Sequence, residues 1–369
     1  MKQKIGIITT RHNRYDIRIF EKQVKELSKH FDVLFFVRDG IGNNSIDNIK
    51  IIDVSIKDKV RFKVFREYFK IIKIIIREKL NSIHFHDPDF LLLLPFLKFK
   101  KQIKVYYDIH EDLPRQILTK PYIKFPKITS SIAEILEILI VKFFVDKTYC
   151  ATPKIQKRFE FKQSVIIANY PIIDYVTSFR NTERNRLKKN KLIYFGSISK
   201  TRGLDLILTI AGADYIDKII LIGKFETASD HERATNHKNW DKIDYYQPTT
   251  QEKVFELSKQ AIAGICLLYP TRNYIDSLPV KLFEYMALGL PVVYSNFTYW
   301  KSLFPNEDIG LACDPLKKDI LITEIGTWIA NREKLNIIGQ KNISLVKQNY
   351  SWESEAQKLL ESYGELYKR

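Results

Sequence analysis

The stretch Asp276-Ser-Leu-Pro-Val-Lys-Leu-Phe-Glu-Tyr-Met-Ala-Leu-Gly-Leu-Pro-Val-Val293 holds a loop, a short helix and a strand in close succession. Pro279 suits a first helical turn, where its missing N–H has no partner to lose and its φ is already helical. Ser277 stands where a side chain caps the free N–H groups. Val280, Phe283 and Met286 recur at helical spacing, so that face is expected to pack inward. Gly289 stops the helix, Pro291 cannot continue it, and Val292-Val293 reads as a short buried strand. Lys281 and Glu284 are left near the helix start, on the side away from the core. A helix N-terminus attracts anions, and a lysine adds to that pull. A glutamate one turn further in accepts hydrogen bonds from two vicinal hydroxyls. Diphosphate beside ribose hydroxyls describes a nucleotide-sugar.

A second stretch points the same way. Lys191–Phe195 reads as a strand, followed by the turn Gly196-Ser-Ile-Ser-Lys-Thr-Arg-Gly203 and a helix from about Leu204. A glycine-bordered turn with cations at a helix N-terminus suits phosphate. Strands are then expected at Lys218–Gly223, Ile243–Tyr246, Ala263–Leu268 and near Gly310–Ala312. Helices are expected over Gln251–Gln260, around Trp300, over Leu316–Gln348 and from Tyr350 to the end. Alternating strands and helices predict a parallel sheet with crossover helices, and ligands beyond the carboxyl ends of its strands.

The first half repeats the rhythm. Ile5–Ile8 and Val33–Val37 read as strands joined by a helix over Ile19–His30, with later strands at Lys147–Ala151 and Val165–Ala168. The loop after the first strand carries His12, Asn13, Asp16 and Arg18 and is a site by position alone. Ile83-His-Phe-His-Asp-Pro88 ends another strand. His84, His86 and Asp87 lack a clear third ligand in their spacing, so no metal is expected. Val105-Tyr-Tyr-Asp-Ile-His-Glu-Asp-Leu-Pro114 places His110 at a strand's carboxyl end inside a His-Glu-Asp cluster. Ile128–Val145 is the most apolar helix. Its Glu134, Glu137 and Lys142 argue for a core helix over a membrane span. Arg180–Lys191, charged and poor in apolar residues, fits a linker.

The chain has 369 residues, 45% apolar, enough for two domains with full cores. Three scattered cysteines, Cys150, Cys266 and Cys313, suggest neither a disulfide framework nor a metal cluster, and so a reducing cytoplasm. The opening residues read as a strand and not as a signal peptide. The net charge of +17 seeks anions: nucleic acid, anionic lipid or phosphorylated substrates. Lys57–Lys79 packs cations among apolar residues. It reads as a core helix with a solvated face, or else as a membrane-surface helix; further cations follow at Lys98, Lys100, Lys101 and Lys104.

Residues 277–291, with the carboxylates Asp276 and Glu284 eight positions apart, resemble the donor-binding signature of glycosyltransferase family 4. Arg202 matches that family's diphosphate-binding lysine. Ser197 stands where it has an arginine, and Lys200 is placed to compensate. His110 matches the family's histidine facing the donor sugar. Asp276 stands where glutamate is commoner. The resemblance implies the GT-B fold: two Rossmann-like α/β domains facing across a cleft. These are an N-terminal acceptor domain over 1–172 completed by a helix over 350–369, and a donor domain over 173–349. It implies retaining transfer of a sugar from a UDP- or GDP-sugar to a hydroxyl, with no cofactor and no metal. Arg202, Lys281 and the helix start at Leu278 and Pro279, with Gly196 and Ser197, would hold the diphosphate. Glu284 would hold ribose, Asp276 and His110 the donor sugar, and Asn13 and Arg18 the substrate from the first domain. The usual setting of similar proteins is bacterial envelope polysaccharide synthesis (capsule, O-antigen or exopolysaccharide) with lipid-diphosphate-linked acceptors. That implies a cytoplasmic enzyme held peripherally on the inner face of the cell membrane. A nucleotide-sugar epimerase or hydrolase on the same fold is the nearest alternative. A basic nucleic-acid-binding protein leaves Lys281 and Glu284 unexplained.

Overall fold

A computed structural model of the chain describes residues 2–56, 63–100, 102–110, 112–119, 123–183 and 189–364. They fall into two compact units, Met1–Asn169 with Glu355–Arg369, and Tyr170–Ser354. Each is built on its own mainly parallel sheet.

The first unit contains β1 (Lys4–Ile8), β2 (Asp32–Val37), β3 (Asn44–Ile46), β4 (Ile49–Asp53), β5 (Ser82–Phe85), β6 (Lys104–Ile109), β7 (Lys147–Cys150) and β8 (Ser164–Ile166). Their order is β3-β4-β2-β1-β5-β6-β7-β8, with β3 antiparallel to β4. The central strands run as nearly unbroken apolar segments because helices cover both faces. The chain winds outward from β1 in both directions, so the gap between the ends of β1 and β5 is the place where loops part and a ligand fits. The β3–β4 hairpin has no counterpart in the sequence reading; Asp47 turns it with φ +49°. The helix expected over Ile19–His30 starts earlier, wound with π-type spacing over Ile17–Val24 and continuing over Lys25–Ser28; Asp16 caps it. The last helix, Trp352–Ser362, carries Tyr363 into this unit, where its hydroxyl meets His84 Nδ1 at 2.8 Å.

The Pro126–Phe144 helix corrects one expectation in part. It buries Ser130, Glu137 and Val141 and exposes Ile128, Ile132, Ile135, Leu136, Leu139 and Phe143. Only one side of it meets the core. That side is mixed: Val141 is buried in the core with Ile138, Ile140 and Phe144 packed against it, and Glu137 finds partners in the Tyr107 hydroxyl (3.1 Å) and Arg158 Nη2 (2.5 Å). The Lys63–Arg77 helix is amphipathic as expected and buries Tyr68, Ile71, Ile72, Ile74 and Ile75. Residues 57–62 of that basic stretch lie outside the described residues.

The second unit contains β9 (Lys191–Phe195), β10 (Lys218–Ile222), β11 (Ile243–Tyr246), β12 (Ala263–Cys266), β13 (Val292–Ser295) and β14 (Gly310–Cys313). All run parallel in the order β11-β10-β9-β12-β13-β14, so here the parting lies between β9 and β12. The Val280–Ala287 helix packs onto β12 and buries Leu282 to Ala287 without a break. Pro279 is its N-cap residue (φ −76°, ψ 113°), not its first turn, and no side chain caps the helix. Ser277, expected to cap, instead donates its hydroxyl to the Tyr274 carbonyl at 3.0 Å, while Trp300 Nε1 donates to the Ser277 carbonyl at 2.7 Å. These bonds fix the loop and turn the Ser277 hydroxyl to the Tyr274 carbonyl instead of the helix start. The three cysteines are buried and free.

The Tyr285 ring lies directly over Gly264, and a Cβ there would come within 2.4 Å of it. The Tyr285 hydroxyl meets the carbonyls of Ile193 (3.2 Å) and Ile265 (3.3 Å), lacing β9 to β12. Gly264→Ala should therefore force the ring away and cost about 1–3 kcal/mol. Urea unfolding checks this; an unchanged midpoint would show that the ring has room to shift.

Candidate functional site

In the second unit, the loop after β9 and the start of the Val280–Ala287 helix meet at one side chain. Lys281 extends under Gly196, so that a Cβ on Gly196 would stand 3.1 Å from the ammonium nitrogen. Gly196 has φ +124°, a region that favours glycine, and its bare backbone leaves the space Lys281 occupies. Lys281 Nζ lies 3.8 Å from the centre of the Tyr194 ring. It is buried and makes no hydrogen bond among the described residues. Burial pushes its pKa down to about 8, and the Arg202 charge pushes the same way; Cys266 and Glu284 pull upward. The sequence placed Lys281 on the side away from the core. The residue is in fact half-buried with its ammonium shielded from water, a positive centre without a hydrogen-bond partner among the described residues, beside a glycine backbone and a helix N-terminus that its N-cap side chain does not cap.

Arg202 sits in the turn before the Leu204–Ala211 helix. Its Nε donates to Glu226 Oε1 at 3.0 Å, and its guanidinium lies 5.3 Å from the centre of the Tyr274 ring. Ser197 is exposed, and its carbonyl accepts the Tyr194 hydroxyl at 2.5 Å. Glu284 is buried to 8% exposure and accepts Gln251 Nε2 at 3.0 Å. Gln251 opens the helix after β11 and was not singled out in the sequence; its signal is the Thr250 cap at a strand's carboxyl end. Asp276 is half-buried in the turn before Ser277, and Leu278 packs against the unit's core. Thus Gly196, Lys281, Arg202 and Glu284 are neighbours.

In the first unit a cavity of 170 Å³ opens at the ends of β1, β5 and β6, lined by Arg11, His12, His86, Asp87, Ile109 and His110 among others. His110 Nε2 lies 3.1 Å from His12 Nε2, and His12 Nε2 lies 3.5 Å from Asp87 Oδ1. Asp87 is held by the Thr9 hydroxyl and by the Thr10 N–H, at 3.1 and 2.5 Å. Burial above all lowers the His110 pKa to about 4, so near neutrality it is an uncharged hydrogen-bonding group. His12 and Asp87, rather than Asn13, accompany His110; Asn13 is exposed. Glu111 lies outside the described residues.

Arg18, expected to meet substrate, is enclosed instead. Its Nε and Nη2 donate to the two Asp108 oxygens at 3.0 and 2.6 Å, and Nη2 also reaches the Ile167 carbonyl. Asp108 further accepts Gln23 Nε2 (2.7 Å) and holds His86 Nδ1 (3.0 Å). Burial raises the Asp108 pKa, but Arg18 and His86 outweigh it and hold the carboxyl well below its ordinary range. Arg18 therefore positions Asp108, and through it His86. The potential ligand atoms of His84, His86 and Asp108 lie within 4.8 Å of one another, so Asp108 supplies the third group that the local spacing lacked. Arg18 already balances that carboxylate, and a divalent ion there would stand against its guanidinium.

Residues 176–345 match the family described as glycosyl transferases group 1. No curated protein matches the sequence. Among solved structures, sucrose-phosphate synthase from Thermosynechococcus elongatus superposes with a TM-score of 0.78 at 14% identity, covering 100% of both chains. HepE of Anabaena in complex with UDP-glucose gives 0.73 at 14% identity, covering 98% of this chain and 99% of that one. An α,α-trehalose-phosphate synthase (UDP-forming) from Burkholderia vietnamiensis gives 0.66 at 10% identity over 100% of both. The fold is that of the GT-B glycosyltransferases.

The Lys281 ammonium should weaken the ligand-free protein. Its pKa is lowered from 10.5 to about 8 on folding, so the unfolded chain holds the proton more tightly. Its cost is fully present below about pH 8 and fades as pH rises toward the ordinary lysine value. Lys281→Met should accordingly be more stable than the parent at pH 7, by on the order of 1–3 kcal/mol. The gap should narrow above pH 8. Urea unfolding at pH 7 and pH 9 checks both, and a less stable Met variant at pH 7 would contradict the account.

Proposed function

We propose that the chain, whose residues 176–345 match the glycosyl transferases group 1 family, moves a sugar from a nucleoside diphosphate to a hydroxyl with retention at the anomeric carbon. The observation that carries this reading is the buried Lys281 ammonium, with no hydrogen-bond partner among the described residues, beneath the Gly196 backbone. A nucleoside diphosphate supplies the anion that this site lacks. Arg202, Lys281 and the N–H groups at the start of the Val280–Ala287 helix then face charge that grows as the diphosphate departs, and fixed donors aimed at developing charge lower the barrier. Gly196 and Ser197 line that end of the site, and Leu278 and Pro279 shape the helix start. Glu284, steadied by Gln251, accepts the ribose hydroxyls. Asp276 orients the donor sugar in the second unit, and the neutral His110 offers the first unit's pocket a hydrogen-bonding group for a sugar hydroxyl. Attack from the leaving-group face with the departing phosphate as base uses no protein nucleophile and no metal. Uridine is the first base to test, because HepE was solved with UDP-glucose.

The acceptor is a hydroxyl on a glycan or on a lipid-diphosphate-linked sugar, in the assembly of bacterial envelope polysaccharide at the inner face of the cell membrane. No helix among the described residues is long and apolar enough to cross a bilayer. Attraction between the +17 chain and anionic lipid supports peripheral association instead. Arg66 is exposed for that role, whereas Lys70 Nζ donates to the Asp53 carbonyl at 3.1 Å and Lys98 is paired with Asp146 at 2.7 Å.

Turnover of a UDP- or GDP-sugar panel, followed by release of nucleoside diphosphate, tests the reading. Arg202→Ala and Lys281→Ala should each slow turnover by on the order of a hundredfold or more. Activity should persist in EDTA; strict dependence on added magnesium or manganese would refute the metal-free route. Glu284→Gln should weaken UDP or GDP binding by about 1–3 kcal/mol. Unchanged calorimetric affinity would remove Glu284 from the ribose site.

A further inference from the structure

The polar pocket of the first unit adjoins a larger cavity of 410 Å³ with mainly apolar walls, among them Val64, Phe65, Leu92, Leu93, Leu136 and Ile140. Both cavities are lined by Arg11, Pro88 and Leu113. One wall belongs to the Lys63–Arg77 helix, another to the turn after β5, and a third to the Pro126–Phe144 helix. Val64, Phe65, Leu92 and Leu136 are also solvent-exposed, so the apolar cavity opens outward. Its mouth lies in a wider apolar field. Ile128, Ile132, Ile135, Leu139 and Phe143 follow one another at helical spacing, each between 45% and 68% exposed. Lys124, Lys127 and Lys142 are exposed near the two ends of that helix.

Soluble monomers rarely expose a continuous apolar stripe of this kind. A cavity of this volume lies within the range that encloses small ligands, roughly 300–1,000 Å³. A sugar or nucleotide has too little hydrocarbon to fill it. An amphiphile matches every part: hydrocarbon for the cavity, a polar head for the hydrogen-bonding groups of the pocket beyond, and a bilayer for the outer stripe and its flanking lysines; Arg11 at the junction is paired with Asp89, through Nε at 2.7 Å and Nη2 at 2.6 Å. We propose that the apolar cavity binds the hydrocarbon chain of a lipid-borne acceptor, whose polar head points toward the His12–Asp87–His110 pocket. The outer face of the Pro126–Phe144 helix lies in the membrane leaflet from which that chain is drawn. This rests on the glycosyl-transfer reading above and names the acceptor class for it.

The probe is a series of alkyl phosphates, octyl to dodecyl, below their micelle concentrations, titrated into the full chain by calorimetry. Affinity should climb about fourfold per methylene, as follows from about 0.8 kcal/mol per buried CH₂. Ala133→Trp, which fills the cavity from the Pro126–Phe144 helix, should flatten that climb. Leu92→Gln at the mouth should reduce it and serves if the first variant misfolds, as judged by circular dichroism. UDP-glucose affinity should be unchanged in both. Chain-length dependence without any nucleotide-sugar binding leaves the lipid site standing and removes the transfer reading. Nucleotide-sugar binding with no chain-length dependence overturns the lipid site. A dimer in sedimentation that Ile132→Asp with Ile135→Asp dissolves, together with flat alkyl phosphate binding, assigns the stripe to a second copy of the chain instead.

Discussion

An ammonium buried without an anion is the constraint on which the second unit depends. Its contact with the Tyr194 ring, 3.8 Å from Nζ to the centroid, is worth on the order of 2 kcal/mol at best when desolvated. Removing the charge from water costs several kcal/mol. The difference is carried by the surroundings. Tyr194 is tied by its hydroxyl to the Ser197 carbonyl, Tyr285 laces β9 to β12, and the Val280–Ala287 helix is buried from Leu282 onward. A site that neutralised Lys281 internally would be more stable and would have nothing left to offer an anion. Stability and binding draw here on the same charge, and the packing around it makes the unsatisfied state tolerable.

The first unit solves the opposite problem. Asp108 is a buried carboxylate, and Arg18, Gln23 and His86 all converge on it. This surplus of donors keeps it ionised and ties the loop after β5 to β6. The histidines beside it are driven the other way: burial lowers the pKa of both His84 and His110. A neutral imidazole can both donate and accept, which suits recognition of sugar hydroxyls better than a fixed cation does. One unit therefore presents concentrated positive charge, and the other presents uncharged polar groups on a fully compensated base.

Much of this was legible in the sequence because it rests on local rules. Glycine and proline end the helices where expected, and β9 and β11 occupy the spans that apolar runs marked. Lys281 and Glu284 stand out because a cation and a carboxylate at a helix start have few structural uses. What was missed depends on pairing across long separations. Gln251 matters through Glu284, thirty-three residues on. Arg18 is a positioning residue through Asp108, ninety residues on. His12 is defined by its approach to His110. Nothing within one loop announces such partners. The β3–β4 hairpin escaped for another reason: Asn44-Ser-Ile is too short and polar to carry a strand signal.

The Pro126–Phe144 helix shows where periodicity misleads. An apolar stripe at helical spacing says that one face avoids water, and in most chains the interior is the only refuge. The same stripe is compatible with an outward face when the opposite side can satisfy polar groups. Glu137 decides the matter. A buried carboxylate is costly unless paired, and it is paired twice, by Tyr107 and by Arg158. Those partners come from β6 and from the segment after β7, so the side of the helix that carries Glu137 and Val141 is committed inward and cannot be rotated out without stranding a charge. The apolar face is then fixed outward by the same bonds.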